Sequence, residues 1–460
     1  MSSSAGRRLL VSCTKQMGAH VNGGRHREAL ALLAQMRASP ELPDVDPFVY
    51  PLALKCCAAL RLPGGAAAVH AHAVKGGLLP GNPFVSSALV DAYAKCFSPP
   101  VLAPMQRLFD ELPLRNAVVW GAMIAAHARA GDVAGAARLL DLMDVPRAAS
   151  AFNSVIAALA SAGPDGATRA LALFRRMQAE RIRPTLATFL ALLPLFSAAA
   201  ALNLVKELHS FSTRAALLPE LRLGSSLVEA YGRCGSAAYA RRCFDSLPEK
   251  ERDVVAWSSL VSAHALNGEP AAAMAAFRRM AAAGVSPDGI MFLGVMKACS
   301  HAGMADEGRR YLELMRREYQ MEPGGGHYAC LVDAVARAGR LEEARRIIVE
   351  EMPARKTAKA WGALLGACRT HGDVPLAEAA ARALAEIEPE NAANLVILSS
   401  VYAGAGMHEA AERVRREIHD RRLRRAPGSS WVLSSDGPPD EHLPPSQRSR
   451  QEERSALGFT

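Results

Sequence analysis

The strongest constraint on this chain is a glycine that keeps returning at nearly the same interval. Gly131, Gly163, Gly235, Gly268, Gly303, Gly339, Gly372 and Gly406 stand 32 to 36 residues apart, except for one interval of 72 that Ala200 splits into 37 and 35. A period of this length marks stacked supersecondary units, each touching its neighbours, and a single folded core does not produce it. The 460 residues therefore need not divide into two or three globular domains, as length alone would suggest.

The clearest unit, Val254 to Asp288, shows what repeats. Trp257, Leu260 and Val261 share one face at helical spacing, and Gly268 breaks the helix where the chain needs a positive φ. Met274, Phe277 and Met280 then share a face of a second helix, ended by Gly284 and Pro287. The same order recurs from Gly325 to Thr357. There Tyr328, Leu331, Val332 and Val335 form the first stripe, and Leu341, Ala344, Ile347 and Ile348 the second. Glu342 stands three and four residues before Arg345 and Arg346, adding ion-pair support on the outer face. An alanine falls five residues after the turn glycine at Ala136, Ala240, Ala273, Ala344, Ala377 and Ala411, where a small residue lets paired helices approach. Two helices in about 35 residues cannot bury their apolar faces alone, so they stack into a superhelix with a concave surface. The expected fold is an all-α solenoid of helix-turn-helix repeats.

Composition narrows the function. Aromatic residues are only 5% of the chain, against 50% hydrophobic overall, which suits helices packed through small side chains. Net charge is +9, from 54 Lys and Arg against 45 Asp and Glu. Such a surplus suits a polyanion without demanding one. The nine cysteines (Cys13, Cys56, Cys57, Cys96, Cys234, Cys243, Cys299, Cys330, Cys368) are odd in number and form no CxxC pair. They read as free thiols within apolar helical patterns rather than disulfides or zinc ligands. The uncharged stretch Thr185 to Val205 is long enough to span a bilayer, but Pro194 interrupts it and the repeat register splits it between two helices. The first residues carry five Lys or Arg and no acid before Glu28, the composition of a short organelle-targeting leader.

Several phrases then point to one family. VVAWSSLVSAHALNGEPAAAMAAFRRMAAAGVSPD, GIMFLGVMKACSHAGMADEGRRYLELM and HYACLVDAVARAGRLEEARRIIVEEMP resemble the pentatricopeptide repeats of land plants, as do FVSSALVDAYAKC and LGSSLVEAYGRCG. The tetratricopeptide pattern of Trp, Leu-Gly, Tyr and late Pro is not matched in register. Alternating unit lengths are similar to the subclass with P-, L- and S-type repeats. The register is 10–46, 47–82, 83–116, 117–148, 149–185, 186–220, 221–253, 254–288, 289–324 and 325–357. Residues 1–9 form the leader, and residues 358–432, through PGSSW, resemble the extension motifs that follow the last repeat. Residues 433–460, rich in Pro, Ser and charge, read as a disordered tail.

The resemblance implies a right-handed superhelix that binds single-stranded organellar RNA, one base per repeat, through the fifth and last residues of each unit. Ser87 with Asn116 resembles an adenine pair. Ser225 with Asp253 and Ser258 with Asp288 resemble guanine pairs, and Asn153 with Thr185 leans towards a pyrimidine. Pro51, Leu190 and Leu293 occupy the fifth position of other units and cannot hydrogen-bond a base edge, while the 117–148 unit ends in Ala148. Any one of these polar residues could equally be a helix N-cap; their common register favours the RNA reading. The 83–116 unit has Phe97 where the turn glycine belongs, followed by Ser98-Pro99-Pro100.

The family's catalytic module is a zinc deaminase marked by HxE and CxxC. Here the HxE is His26-Arg27-Glu28, at the start of a second helix, and there is no CxxC. No metal or other cofactor is expected. The implied role is a non-enzymatic site-recognition factor for C-to-U editing, in a mitochondrion or alternatively a chloroplast, with a deaminase or other editing protein docking on residues 358–432. An RNA stability or splicing factor and a protein-binding scaffold are the alternatives. The run Arg421, Arg422, Arg424, Arg425 is either a phosphate or partner contact or a solvated helix end.

Overall fold

The computed structural model describes residues 2–38, 47–79, 82–97, 102–112, 115–161, 166–217, 220–353, 357–421 and 423. The described residues form twenty-four α-helices and no strand. They fall into two compact units, Met1–Lys356 and Thr357–Thr460. The first holds α1 (Ser2–Asn22), α2 (His26–Ala38), α3 (Val49–Ala59), α4 (Pro63–Lys75), α5 (Pro83–Cys96), α6 (Leu102–Glu111), α7 (Ala117–Arg129), α8 (Val133–Leu142), α9 (Ala149–Ala158) and α10 (Gly166–Ala179). It continues through α11 (Leu186–Ala198), α12 (Leu202–Arg214), α13 (Leu221–Arg233), α14 (Ala237–Asp245), α15 (Val254–Leu266), α16 (Pro270–Ala282), α17 (Gly289–His301), α18 (Ala305–Arg317), α19 (Gly325–Arg337) and α20 (Leu341–Arg346). A π-helical turn, Ile347–Glu351, extends α20. The second unit holds α21 (Ala358–His371), α22 (Val374–Ile387), α23 (Ala392–Gly404) and α24 (His408–Asp420). Helical backbone from Ser2 takes in the stretch set apart as a leader, continuous with the rest of α1.

Odd-numbered helices are the first of each pair and even-numbered ones the second. In the first unit each first helix packs on the next first helix and on its own second helix, giving two layers. Small residues permit the approach. A Cβ at Gly232 of α13 would lie 2.5 Å from the Ala263 Cβ of α15. Ala136, Ala240, Ala273 and Ala344 are fully buried. Polar bonds to backbone carbonyls repeat with the period: Arg129 Nη2 donates to Ala94 O at 3.2 Å and Asn267 Nδ2 to Gly232 O at 2.9 Å, while His301 Nδ1 lies 3.2 Å from Ala265 O. Aromatic residues fill the wider gaps, with Trp257 against Phe244 at 4.6 Å between ring centroids. In the second unit Trp361, Leu364 and Leu365 of α21 and Ala377, Ala380 and Leu384 of α22 are buried. Tyr402 there donates to Glu378 Oε1 at 2.8 Å.

The periodic glycines behave as their spacing predicts. Gly131, Gly235, Gly268, Gly303, Gly339, Gly372 and Gly406 all take positive φ, between 65° and 80°. Gly163 lies outside the described residues. Ala200, which fills the missing glycine's place, is itself at φ 52°, a left-handed conformation that costs an L-residue about 1–2 kcal/mol. Phe97 does differ: it caps α5 at φ −111°, in extended backbone. Pro194 lies inside α11, and no helix among the described residues is long and apolar enough to cross a membrane. Cys56, Cys57, Cys96, Cys243, Cys299 and Cys368 are buried. Burial pushes the thiols of Cys57 and Cys299 up to about 11 and that of Cys243 to about 12.

Ala200→Gly relieves the left-handed strain at the cost of a more flexible unfolded chain. It should stabilise the first unit by about 0.5–1 kcal/mol, read as a higher melting temperature of the helical circular dichroism signal.

Candidate RNA-binding face

The residues singled out in the sequence fall at one structural place. The last residue of a repeat is the N-cap of the next first helix, and the fifth residue of a repeat lies one turn into its own first helix. Asn116 caps α7, its Oδ1 accepting from Val118 N at 3.1 Å and Val119 N at 2.9 Å. Asp253 caps α15 through Ala256 N at 2.9 Å, and Asp288 caps α17 through Met291 N at 2.8 Å. Capping therefore does not exhaust these side chains. The cap uses one side-chain oxygen and fixes the direction of the other polar atom.

Two of the four pairs are joined directly. Asn116 Nδ2 donates to Ser87 Oγ at 3.1 Å, and Ser87 Oγ donates back to Pro83 O at 2.6 Å. The pair is left with one amide N–H and one hydroxyl lone pair, a donor beside an acceptor. Asn153 Nδ2 donates to Thr185 Oγ1 at 3.1 Å. The other two pairs are not bonded to each other. The hydroxyls of Ser225 and Ser258 are buried without a hydrogen-bond partner, and Ser225 is only 4% exposed. Asp253 and Asp288 each spend Oδ1 on the cap, which leaves Oδ2 as an acceptor. Ala148 caps α9 with no side-chain bond, so that unit offers no polar group at its last position. Pro51, Leu190 and Leu293 are half-buried.

Two further sets of residues share this face and escaped the reading of the sequence. Phe48, Phe84, Val118, Val255 and Ile290, each second in its repeat, are 56–72% exposed. An apolar residue three places before the fifth position, off the buried stripe, was the signal available. Lys95, Arg129, Arg233 and Arg337 stand two turns beyond the fifth position. Lys95 pairs with Asp91 at 2.8 Å, Arg233 with Glu229 at 3.0 Å and Arg337 with Asp333 at 2.9 Å. In this way the face offers apolar surfaces, polar pairs and a row of basic residues, three of them paired with a carboxylate one turn earlier.

His26 and Glu28 lie on α2, where Glu28 contacts His20 at 3.1 Å and Arg25 at 3.5 Å. No group of three or more His, Cys, Asp or Glu able to hold a metal occurs among the described residues. Arg421 bonds Glu417 at 2.9 Å and Pro389 O at 2.6 Å. Arg422, Arg424, Arg425 and Trp431 lie outside the described residues, as does the stretch 433–460.

The fold and this face define an α-solenoid of helix-hairpin repeats that presents polar pairs at four of its repeat junctions, Ser87–Asn116, Asn153–Thr185, Ser225–Asp253 and Ser258–Asp288. Models of the PPR repeat match residues 118–145, 255–285 and 290–319, and that of the E motif matches 371–433. A putative pentatricopeptide repeat-containing protein of Arabidopsis thaliana is 48% identical over 427 residues, covering 93% of this chain and 97% of its own. The chain belongs to the pentatricopeptide repeat family and carries an E motif. The chloroplastic protein CRR2 of the same plant is 35% identical over 397 residues, covering 85% of this chain and 54% of CRR2. The crystal structure of PPR10 in complex with an 18-nt psaJ RNA element superposes with a TM-score of 0.70 at 17% identity, covering 91% of this chain and 63% of that one.

The dual use of Asn116 can be separated by mutation. Asn116→Ala removes the cap and should cost about 1 kcal/mol, whereas Asn116→Asp keeps a capping oxygen and should change stability by only a few tenths. Thermal melting of the two variants checks this.

Proposed function

We propose that the protein binds single-stranded RNA in a sequence-specific manner along this face, one base per readable repeat. The observation that carries the reading is the bonded pair Ser87–Asn116, whose remaining N–H donor and hydroxyl acceptor match the N1 acceptor and N6–H donor of adenine. The free Oδ2 of Asp253 and of Asp288 matches the N1–H and N2–H donors of guanine. The unpartnered hydroxyls of Ser225 and Ser258 stand at the fifth position of the same units, and a bond to such a base would relieve the cost of about 1–3 kcal/mol of leaving each unbonded. The exposed apolar residues at the second position give the base faces a surface to stack on. The cations at Lys95, Arg129, Arg233 and Arg337 suit the phosphates. PPR10, whose fold this chain shares, was crystallised with RNA, which supports the same use of the face.

The chain acts as a recognition factor inside an organelle. Relatives named as chloroplastic and as mitochondrial support that compartment. The E motif supports a role in C-to-U editing in which a deaminase supplied in trans docks on residues 358–432. The absence of any CxxC from the sequence agrees with chemistry carried elsewhere. Disrupting the gene and sequencing mitochondrial and chloroplast transcripts tests this: cytidines retained at a few sites support editing, whereas lost or unspliced transcripts point to RNA stability or splicing.

Binding should be measured by selecting from a random single-stranded RNA pool at about 50 mM and about 200 mM salt. Affinity should fall at least tenfold between the two, given a few neutralised phosphates. Asn116→Asp should turn one adenine of the selected motif into guanine, by about tenfold in preference. A protein that retains no RNA at either salt concentration would falsify the reading.

A further inference from the structure

The pair Asn153–Thr185 is held by a third residue from the following repeat. Thr188, fully buried in the first turn of α11, donates from Oγ1 to Asn153 Oδ1 at 2.7 Å. The same oxygen accepts the backbone N–H of Thr185 at 2.9 Å, so its one proton is directed to Asn153. The equivalent third residues Val85, Val119, Ala151, Leu223, Ala256 and Met291 are apolar and buried and offer no such bond, while His327 of α19 accepts from Gly324 N at 3.1 Å and reaches back to a backbone oxygen, Gly289 O at 2.8 Å, rather than to a fifth-position side chain.

An asparagine amide can normally flip, presenting either its carbonyl or its NH₂. Here flipping would turn NH₂ towards Thr188 Oγ1 and take away the acceptor of the Thr188 proton, for which the remaining oxygen, Thr185 Oγ1, is 3.4 Å away rather than 2.7 Å. We infer that Thr188 is a positioning residue for base recognition: by holding Asn153 Oδ1 inward it turns the second N–H of Asn153 outward as a donor, beside the Thr185 hydroxyl, which lies 3.4 Å from Thr188 Oγ1 and can turn its O–H to a base. Two donors match a pyrimidine edge, either the adjacent acceptors O2 and N3 of cytosine or the two carbonyl oxygens that flank N3–H in uracil. Adenine offers one donor beside one acceptor, and guanine one acceptor beside two donors, so the purines fit less well. The specificity of one repeat is thus set partly by a buried side chain of the next. This inference rests on the RNA-binding reading above.

The test uses the full chain and the random RNA pool. Wild-type protein should select a pyrimidine two nucleotides from the base read by Ser225 and Asp253. Thr188→Val keeps the volume and removes the donor; Thr188→Cys, with a weak thiol donor, is a second variant should the first fold poorly. Either should reduce a roughly tenfold pyrimidine preference at that nucleotide to about twofold, with the rest of the motif retained. Thr188→Ser restores the hydroxyl and should restore the preference. An unchanged preference in the Val or Cys variant, or a lost one in the Ser variant, overturns the inference while the flanking motif still validates RNA reading. A merely structural Thr188 would lower melting temperature and overall affinity but leave the base ratio at that nucleotide unmoved. Wild-type protein that selects no motif at all defeats the RNA reading and this inference together.

Discussion

The row of junction side chains depends on one bond type, the N-cap between successive repeats. The last side chain of one unit accepts backbone N–H groups at the start of the next first helix, as Asn116, Asp253 and Asp288 do. Without that acceptor the first turn of a helix leaves its N–H groups unpaired. With it, the side chain is tied to the helix axis and its second polar atom faces a fixed direction. The same bond that starts a helix therefore also orients the second polar atom of the capping side chain, and the period of the fold becomes the period of the face.

The rest of the array keeps those junctions in register. First helices pack on first helices through positions where only a small residue fits, as at Gly232 against Ala263. Positive-φ turns return the chain at constant spacing, even where Ala200 must adopt the conformation without glycine's freedom. Inter-repeat bonds such as Asn267 to Gly232 O add a check on the axial offset of neighbouring units. Each device is worth little alone. Repeated along the stack, they fix the separation between one polar pair and the next.

Much of the fold could be read from sequence because its signals are periodic and local. The turn glycines report a backbone conformation that other residues resist, and Ala136, Ala240, Ala273 and Ala344 report a close approach; the structure places each as expected. The junction residues were readable as N-cap candidates, since a short polar side chain before an apolar stripe has few other uses. Less was visible at the fifth position. Ser87, Ser225 and Ser258 look alike in sequence, yet Ser87 is bonded to its partner while the other two hydroxyls are buried and unpartnered. The exposed apolar residues Phe84, Val118, Val255 and Ile290 were also missed, because an apolar side chain near a helix start reads as core until its neighbours are known.

Sequence by itself determined the repeat, its helix-turn-helix grammar, the family and the candidate pairs, because helix periodicity, φ preference and capping act within a few residues along the chain. Tertiary structure alone decided which pairs touch, which of their donors and acceptors remain free, and that Thr188 reaches back 35 residues to hold Asn153. Those outcomes turn on hydrogen-bond distances between neighbouring helices, and a separation of a few tenths of an ångström has no counterpart in the order of residues.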